Sequence, residues 1–579
     1  ALVIGWRQRN QPQLRATSAA LTCLVAAHAE LDGSFGVSAA VAIGTGLLLL
    51  TAGLRRRPQR IRRVAVRTIV GVAGFAAIAT VAFLAEAAAA KSLLVDGKHE
   101  AELAVAAVER GAYSEAAGHF GRASELLGSA EGHLNRPWAR LGSLVPVVAQ
   151  HHHAATELSG EAARAAATAA AAAALVDPET MRVEGGVIDL AAVAALTEPI
   201  DDLDAALRQM ADSTHDVDSR WLLPVVRDEL SELAVELDEN VVRVGLASDA
   251  VDLAPAMLGA DAPRVYLVLF TTPAEARGFG GFIGNYAELT IDGGQIEMTE
   301  FGRVSDLERL GQAIGIRLEG PAEFLRRYGT FGYNTDGNGL VGSAPWRNLT
   351  MSPDFPTVAT VAADMYEQLS GRALDGVITV DPFVLSALLG YTGPIELSTV
   401  DFTLDASNAA NYILVDQYRV AGDHFDRIDA LDEAARLTVE QLLSGAMPAP
   451  TTLADDLGPL AASGRLAVWT NVGAEQDLLR RTGLLGEIPD LDGANGWAVT
   501  VTNAGGSKID SFLTRDFQYR AATGDDGTTS ATLDVTLGNT APATGLPDYV
   551  IGNVIGMPTG TSRLYVSFYS ALPLEAAEL

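Results

Sequence analysis

Arg277 stands beside four glycines, Gly278, Gly280, Gly281 and Gly284, in the stretch PAEARGFGGFIGNYAELTIDGG (Pro273–Gly294). Glycines permit positive φ and close backbone approach. Two readings follow. In the first, backbone N–H groups and the guanidinium fork cradle a phosphate or pyrophosphate. In the second, the glycines let the chain cross between strands and Arg277 pairs with Glu275 or another acid. The spacing misses G-x-G-x-x-G, a strand rather than a helix follows, and there is no Lys-Ser/Thr to complete a Walker loop.

Phosphoryl-type transfer needs cations on the phosphates, a divalent ion such as Mg²⁺ held by carboxylates, and a base for the acceptor. On that reading Arg277, with the amides of Gly280 and Gly281, binds phosphate, and Arg303 and Arg347 are further phosphate-binding cations. Asp306, Asp354 and Asp381 are the candidate catalytic carboxylates, Asp354 doubling as the metal ligand. Trp346 and Asn348, in the Pro-flanked run PWRNLTMSPDFP (Pro345–Pro356), are candidate substrate contacts. Each has a plainer alternative: Arg303 and Asp306 as a surface pair, Asp354 as the cap of the helix that follows it. Lys508 and Asp510, in NAGGSKID (Asn503–Asp510), form either a second polar loop or a turn closed by a surface ion pair. Three consecutive histidines, His151–His153, point in different directions on a helix and cannot share one ion. H-E-x-x-H and C-x-x-C are missing, which disfavours a zinc hydrolase, and the lone Cys23 excludes an internal disulfide.

The elements that must position these residues fall into four regions. The first, 1–90, is a membrane anchor. Phe35–Leu54 and Thr68–Ala90 are each about as long as the 20 apolar residues a bilayer requires. The loop between them, Arg55–Arg67, holds seven arginines and no acid, so it is cytoplasmic and the chain after Ala90 faces outward. The shorter Ala16–Ala29 is a candidate third span. Residues 1–67 contain ten arginines and two acids, which leaves 31 basic against 70 acidic residues for the rest. That balance excludes a nucleic-acid partner, because phosphate neutralisation needs a basic face.

Residues 91–258 are rich in Ala, Leu and Glu with apolar residues three to four apart, which predicts an extracytoplasmic helical stalk. From Asp261 the texture changes. RVYLVLFT (Arg264–Thr271) reads as a buried strand, and NYAELTI–DGG–QIEMTEF (Asn285–Phe301) as a hairpin. Helices are expected at 305–314, 321–329, 355–371 and 383–393, with a strand at 375–382. Alternating strands and helices predict an α/β sandwich domain over 261–490. Four β segments in 491–579 predict a β-rich C-terminal region.

The blocks YLVLFTTPAEARGFGGFIGNYAELTIDGG, WRNLTMSPDFPTVA, LDGVITVDPFVLSALLGYTGPIEL and VTNAGGSKIDSFLTRDFQY, in this order, resemble an actinobacterial membrane-protein family known only as a domain of unknown function. That family has the same arginine-rich transmembrane hairpin and Ala-rich stalk. Thr271 and Thr272 stand where an asparagine pair is expected. In layout the chain also resembles the LytR–CpsA–Psr (LCP) phosphotransferases, outward-facing membrane-anchored α/β domains; their multi-arginine signature and hallmark aspartate motif are not evident here. The LCP resemblance implies an envelope protein that binds, and on the enzymatic reading transfers, a polyprenyl-pyrophosphate-linked glycopolymer to the cell wall. Its partners would be the membrane, the lipid-linked polymer or a wall glycan. The alternative is a non-enzymatic envelope scaffold that docks other envelope proteins or glycans.

Overall fold

The computed structural model describes residues 58–177, 183, 185–336, 338–420, 424–445, 448, 450–489, 491 and 496–579. The expected spans at 35–54 and 16–29 lie outside the described residues. The chain divides into two compact units, 58–176 with 196–248, and 177–195 with 249–579.

The first unit is helical. Helix α1 (Gln59–Glu109) is followed by α2 (Tyr113–Leu134), a 3₁₀ turn at Arg140–Leu144, α3 (Val148–Leu175), the short α4 (Leu190–Ala194), which belongs to the second unit, α5 (Thr197–Val217) and α6 (Pro224–Met257). Helix α1 runs 51 residues without interruption, straight through the expected anchor–stalk junction at Ala90. The reason is local, since nothing between Ala85 and Glu109 breaks a helix and Ala, Leu, Glu and Lys dominate. Its N-terminal half is apolar and long enough to cross a membrane. Small residues let the helices approach closely. Ala90, Ala130, Phe83 and Leu134 form one contact layer, and Ala123, Leu127 and Ala166 another. The three histidines do diverge: His152 is buried on the Leu134 carbonyl (3.1 Å), while His151 caps a different loop.

The second unit is built on a mixed five-stranded sheet of order β3-β2-β1-β4-β7. The strands are β1 (Arg264–Thr272), β2 (Phe282–Asp292), β3 (Gln295–Arg303), β4 (Gly376–Val380) and β7 (Leu466–Thr470). The β2–β3 hairpin turns on Gly293 and Gly294, both at positive φ, as a two-residue type I′ turn demands. β1 and β4 are parallel, so the chain must cross over between them. It does so through α7 (Val304–Ile314), α8 (Ala322–Tyr328) and α9 (Phe355–Ser370). Alternation along β1 divides the core. Leu267 and Leu269 face these helices with Trp346, Phe355 and Met365, whereas Val268 and Phe270 face α10 (Pro382–Thr392), α11 (His424–Ser444) and α12 (Pro450–Ala462). β7 was not anticipated. LAVWT is five residues, too few to display a period, and its strand identity comes from antiparallel pairing with β4. Short strands β5 (Ile395–Leu397) and β6 (Phe402–Leu404) pair beside α10. The C-terminal region is β-rich as expected, but as two separate two-stranded sheets: β8 (Trp497–Asn503) with β11 (Leu564–Ser570), and β9 (Leu513–Thr523) with β10 (Thr529–Asn539).

Candidate functional site

The loop between β1 and β2 holds Arg277 at the end of the sheet. Its glycines serve close approach. A Cβ on Gly281, which sits at φ +115°, would lie 2.2 Å from the Thr272 carbonyl oxygen, and one on Gly278 would lie 2.3 Å from that of Met351. Gly280 is also at positive φ (+61°). The Gly281 amide points inward, donating to Phe279 O at 2.5 Å. This amide is therefore turned to the protein's own backbone rather than to a ligand.

Arg277 is buried, and its guanidinium donates to Glu275 Oε1 (2.7 Å), the Ala276 carbonyl (3.0 Å) and Asn348 Oδ1 (3.4 Å). The second Glu275 oxygen accepts from Lys508 Nζ at 2.9 Å. Both cations lie over the Phe282 ring, Lys508 Nζ at 3.8 Å and Arg277 Cζ at 5.9 Å from its centre. Burial by itself would raise the Glu275 pKa, but Lys508 and Arg277 outweigh it and hold the carboxyl below its ordinary value. Burial in turn pushes the Lys508 ammonium down, only partly offset by Glu275.

Lys508 does not pair with Asp510. The carboxylate of Asp510 accepts from the Ala276 N–H (2.9 Å) and Asn503 Nδ2 (2.7 Å), and burial raises its pKa. Asn503 N–H donates to Ala276 O (2.8 Å) and Asp510 N–H to Ala274 O (3.1 Å). The NAGGSKID loop is thus laced along the PAEAR loop, a pairing between segments more than 220 residues apart that the sequence could not announce. Arg427, stacked over Tyr418 (5.2 Å) and Tyr549 (4.8 Å), adds its field to that of Lys508 and was also missed. The only sequence signal was a charged residue within the polar run GDHFDR.

The remaining candidates disperse. Asn348 does meet Arg277, and its amide nitrogen holds the Phe331 carbonyl at 3.0 Å. Trp346 is a fully buried core residue rather than an exposed contact. Arg347 pairs with the buried Glu308, Nε to Oε2 at 2.7 Å. Asp354 caps α9: one oxygen accepts from Thr357 N (3.1 Å) and Oγ1 (2.5 Å), the other from Ile488 N (3.2 Å). Asp354 is thus engaged as a cap through both oxygens, and among the described residues no group of three or more His, Cys, Asp or Glu is placed to hold a metal. Asp381 caps α10 through Phe383 N (2.9 Å) and Val384 N (3.1 Å) and pairs with Arg465 (2.7 Å), while burial raises its pKa.

Arg303 and Asp306 lie together in a different place, a polar cavity of about 440 Å³ lined also by Thr399, Asp429, Asp432 and Glu433. They are not paired with each other. Arg303 forks between Asp432 (2.5 Å) and Asp429 (2.5 Å), whereas Asp306 pairs with Arg309. Burial raises Asp432, and the hydroxyls and amides of Ser398 and Thr399 outweigh burial to bring Glu433 to about 2. Arg277, Gly280, Gly281 and Asn348 therefore form one group, Arg303 and Asp306 another, and Arg347, Asp354 and Asp381 belong to neither.

Residues 261–418, which include β1 to β6 with Arg277 and Asn348 but not the 503–510 loop, match the model of a family described as "Protein of unknown function (DUF4012)". No curated protein and no solved structure matches the chain.

Proposed function

We propose that this chain is a membrane-anchored cell-envelope protein whose large C-terminal part faces outward and works as a docking scaffold for envelope proteins or glycans. The anchor is α1, and the orientation follows from the seven arginines of Arg55–Arg67. The observation that carries the scaffold reading is the state of Arg277. The cation best placed in sequence to bind a phosphate is buried and neutralised by Glu275, which also binds Lys508. Candidate carboxylates occupied in helix caps and local ion pairs support the same reading.

The transfer of a polyprenyl-pyrophosphate-linked glycopolymer, with its LCP-like parentage, is the second reading, and one observation favours it. Arg277 Nε is buried without an acceptor among the described residues, while two other cations, Lys508 and Arg427, lie close by. Titrating the detergent-solubilised full chain with a polyprenyl-pyrophosphate analogue, with and without Mg²⁺, separates the two. The scaffold reading expects no saturable binding to the wild type. Saturable binding that is lost in Arg277→Ala, with the near-ultraviolet circular dichroism unchanged, would replace it with an anion site.

A further inference from the structure

We infer that the base of the helical unit is a second membrane contact: two loops that rest in the headgroup region beside α1 and seat the bundle on the bilayer. The inference rests on reading α1 as the anchor.

Along α1 the large apolar side chains are solvent-exposed from Ile61 through Val64, Val70, Phe75 and Ile78 to Leu84. The same helix begins to be covered by protein at Ala79, Phe83, Glu86 and Ala90. At 1.5 Å per residue, the 16 residues from Arg67 to Phe83 rise about 24 Å, close to the roughly 30 Å hydrocarbon thickness. Phe83 and Glu86 therefore fall at the outer edge of the bilayer. Glu86 is satisfied there by Trp138 Nε1 (2.6 Å), His133 Nδ1 (2.8 Å) and Arg136 (3.0 Å), so a carboxylate is tolerated at that depth.

The loop that supplies two of these partners, Arg136 and Trp138, spans residues 135–147 and packs on α1 at the same level, since a Cβ on Gly142 would lie 3.0 Å from the Phe83 Cβ. It turns apolar groups outward: Trp138 is 50% exposed and Leu144 67%. The α5–α6 turn and the first turn of α6 do likewise, with Leu223 at 50% and Val225 at 72%. His151 joins the two loops, its Nδ1 meeting the Val147 carbonyl (2.9 Å) and its Nε2 accepting from Leu223 N (3.0 Å). Both loops thus belong to one end of the bundle, continuous with the exposed apolar face of α1. Arg140 is exposed at that end, and Arg136 lies 5.8 Å from the Trp138 ring. Asp218, the acid at the start of the second loop, is paired with Arg227 (3.6 Å). Tryptophan, arginine and aliphatic groups at one level are what the bilayer interface selects, and anionic lipid headgroups complement the arginines.

The test uses the full chain in a Cys23→Ser background, reconstituted in vesicles of mixed phosphatidylcholine and phosphatidylglycerol. Single cysteines at Leu144, Leu223, Val70 and Val235 carry an environment-sensitive fluorophore. Val70 reports the anchor, and Val235, exposed on α6, reports open solvent. Labels at Leu144 and Leu223 are expected to be quenched by lipid spin-labelled near the headgroup and to be several-fold less open to aqueous iodide than the Val235 label. If they match Val235 while Val70 stays shielded, the seating inference fails and the anchor stands. Shielding from iodide without quenching by the lipid assigns the loops to a protein partner, such as a second copy, and also overturns it. An iodide-accessible Val70 removes the anchor and the inference together.

Discussion

The second unit contains two clusters of the same chemistry, arginine between two acidic or amide partners, in opposite surroundings. Around Glu275, Arg277 has 5% of its side chain exposed and Lys508 18%; around Arg303, the guanidinium is 35% exposed and Asp429 59%. Distances do not distinguish them, because both are short, charge-assisted contacts. Water does. A pair held in solvent contributes up to about 1 kcal/mol, whereas removing one member of a buried set leaves a charge without compensation and costs about 3–5 kcal/mol. The contrast teaches that an arginine beside glycines is no evidence of a ligand until its burial and its counter-charge are known.

The comparison breaks most directly at Glu275. Glu275→Gln leaves two buried cations facing one neutral amide, and a loss of about 3–5 kcal/mol is expected in denaturant unfolding of the full chain. A change below about 1 kcal/mol would place that cluster in the same class as the Arg303 pair. The same variant has a pH signature. Glu275 has a folded-state pKa below its ordinary 4.5, so its stabilisation is full above that value and is lost as pH falls through the depressed one. Burial raises Asp510 and Asp432, whose contributions run in the opposite sense. The clean readout is therefore a difference: stability falls less steeply on acidification below 4.5 in Glu275→Gln than in the wild type.

Gly281→Ala comes next. The new methyl meets the Thr272 carbonyl at φ +115°, and a cost of about 1–3 kcal/mol follows from a conformation that L-residues avoid. A neutral result would show that the loop shifts freely. Arg303→Ala is expected to cost no more than about 1 kcal/mol, measured in the same way. Asp306→Ala, which removes only an exposed pair with Arg309, should stay within about 0.5 kcal/mol. Inversion of this order would mean that the open cavity, not the closed loop, carries the structure.

Much of the fold is legible in the residues. The β2–β3 hairpin, α9 with Asp354 as its cap and α10 with Asp381 as its cap follow from local signals of period, turn and capping chemistry. The same signals already offered capping as the alternative role for Asp354. What escaped is the non-local part: β7, the 51-residue continuity of α1, and the lacing of 503–510 onto 274–276.

By itself the sequence determined the apolar stretch of α1, the change to α/β texture at Asp261, and the glycine turn of the β2–β3 hairpin. These are properties of a residue and its near neighbours, and propensity, periodicity and sterics act at that range. The state of Arg277 was decided only by tertiary structure. Glu275 is a near neighbour that the sequence offered as a partner, but Lys508 and Asn348 come from distant segments, and an ion pair's worth depends on the water excluded around it, which is a property of the folded whole.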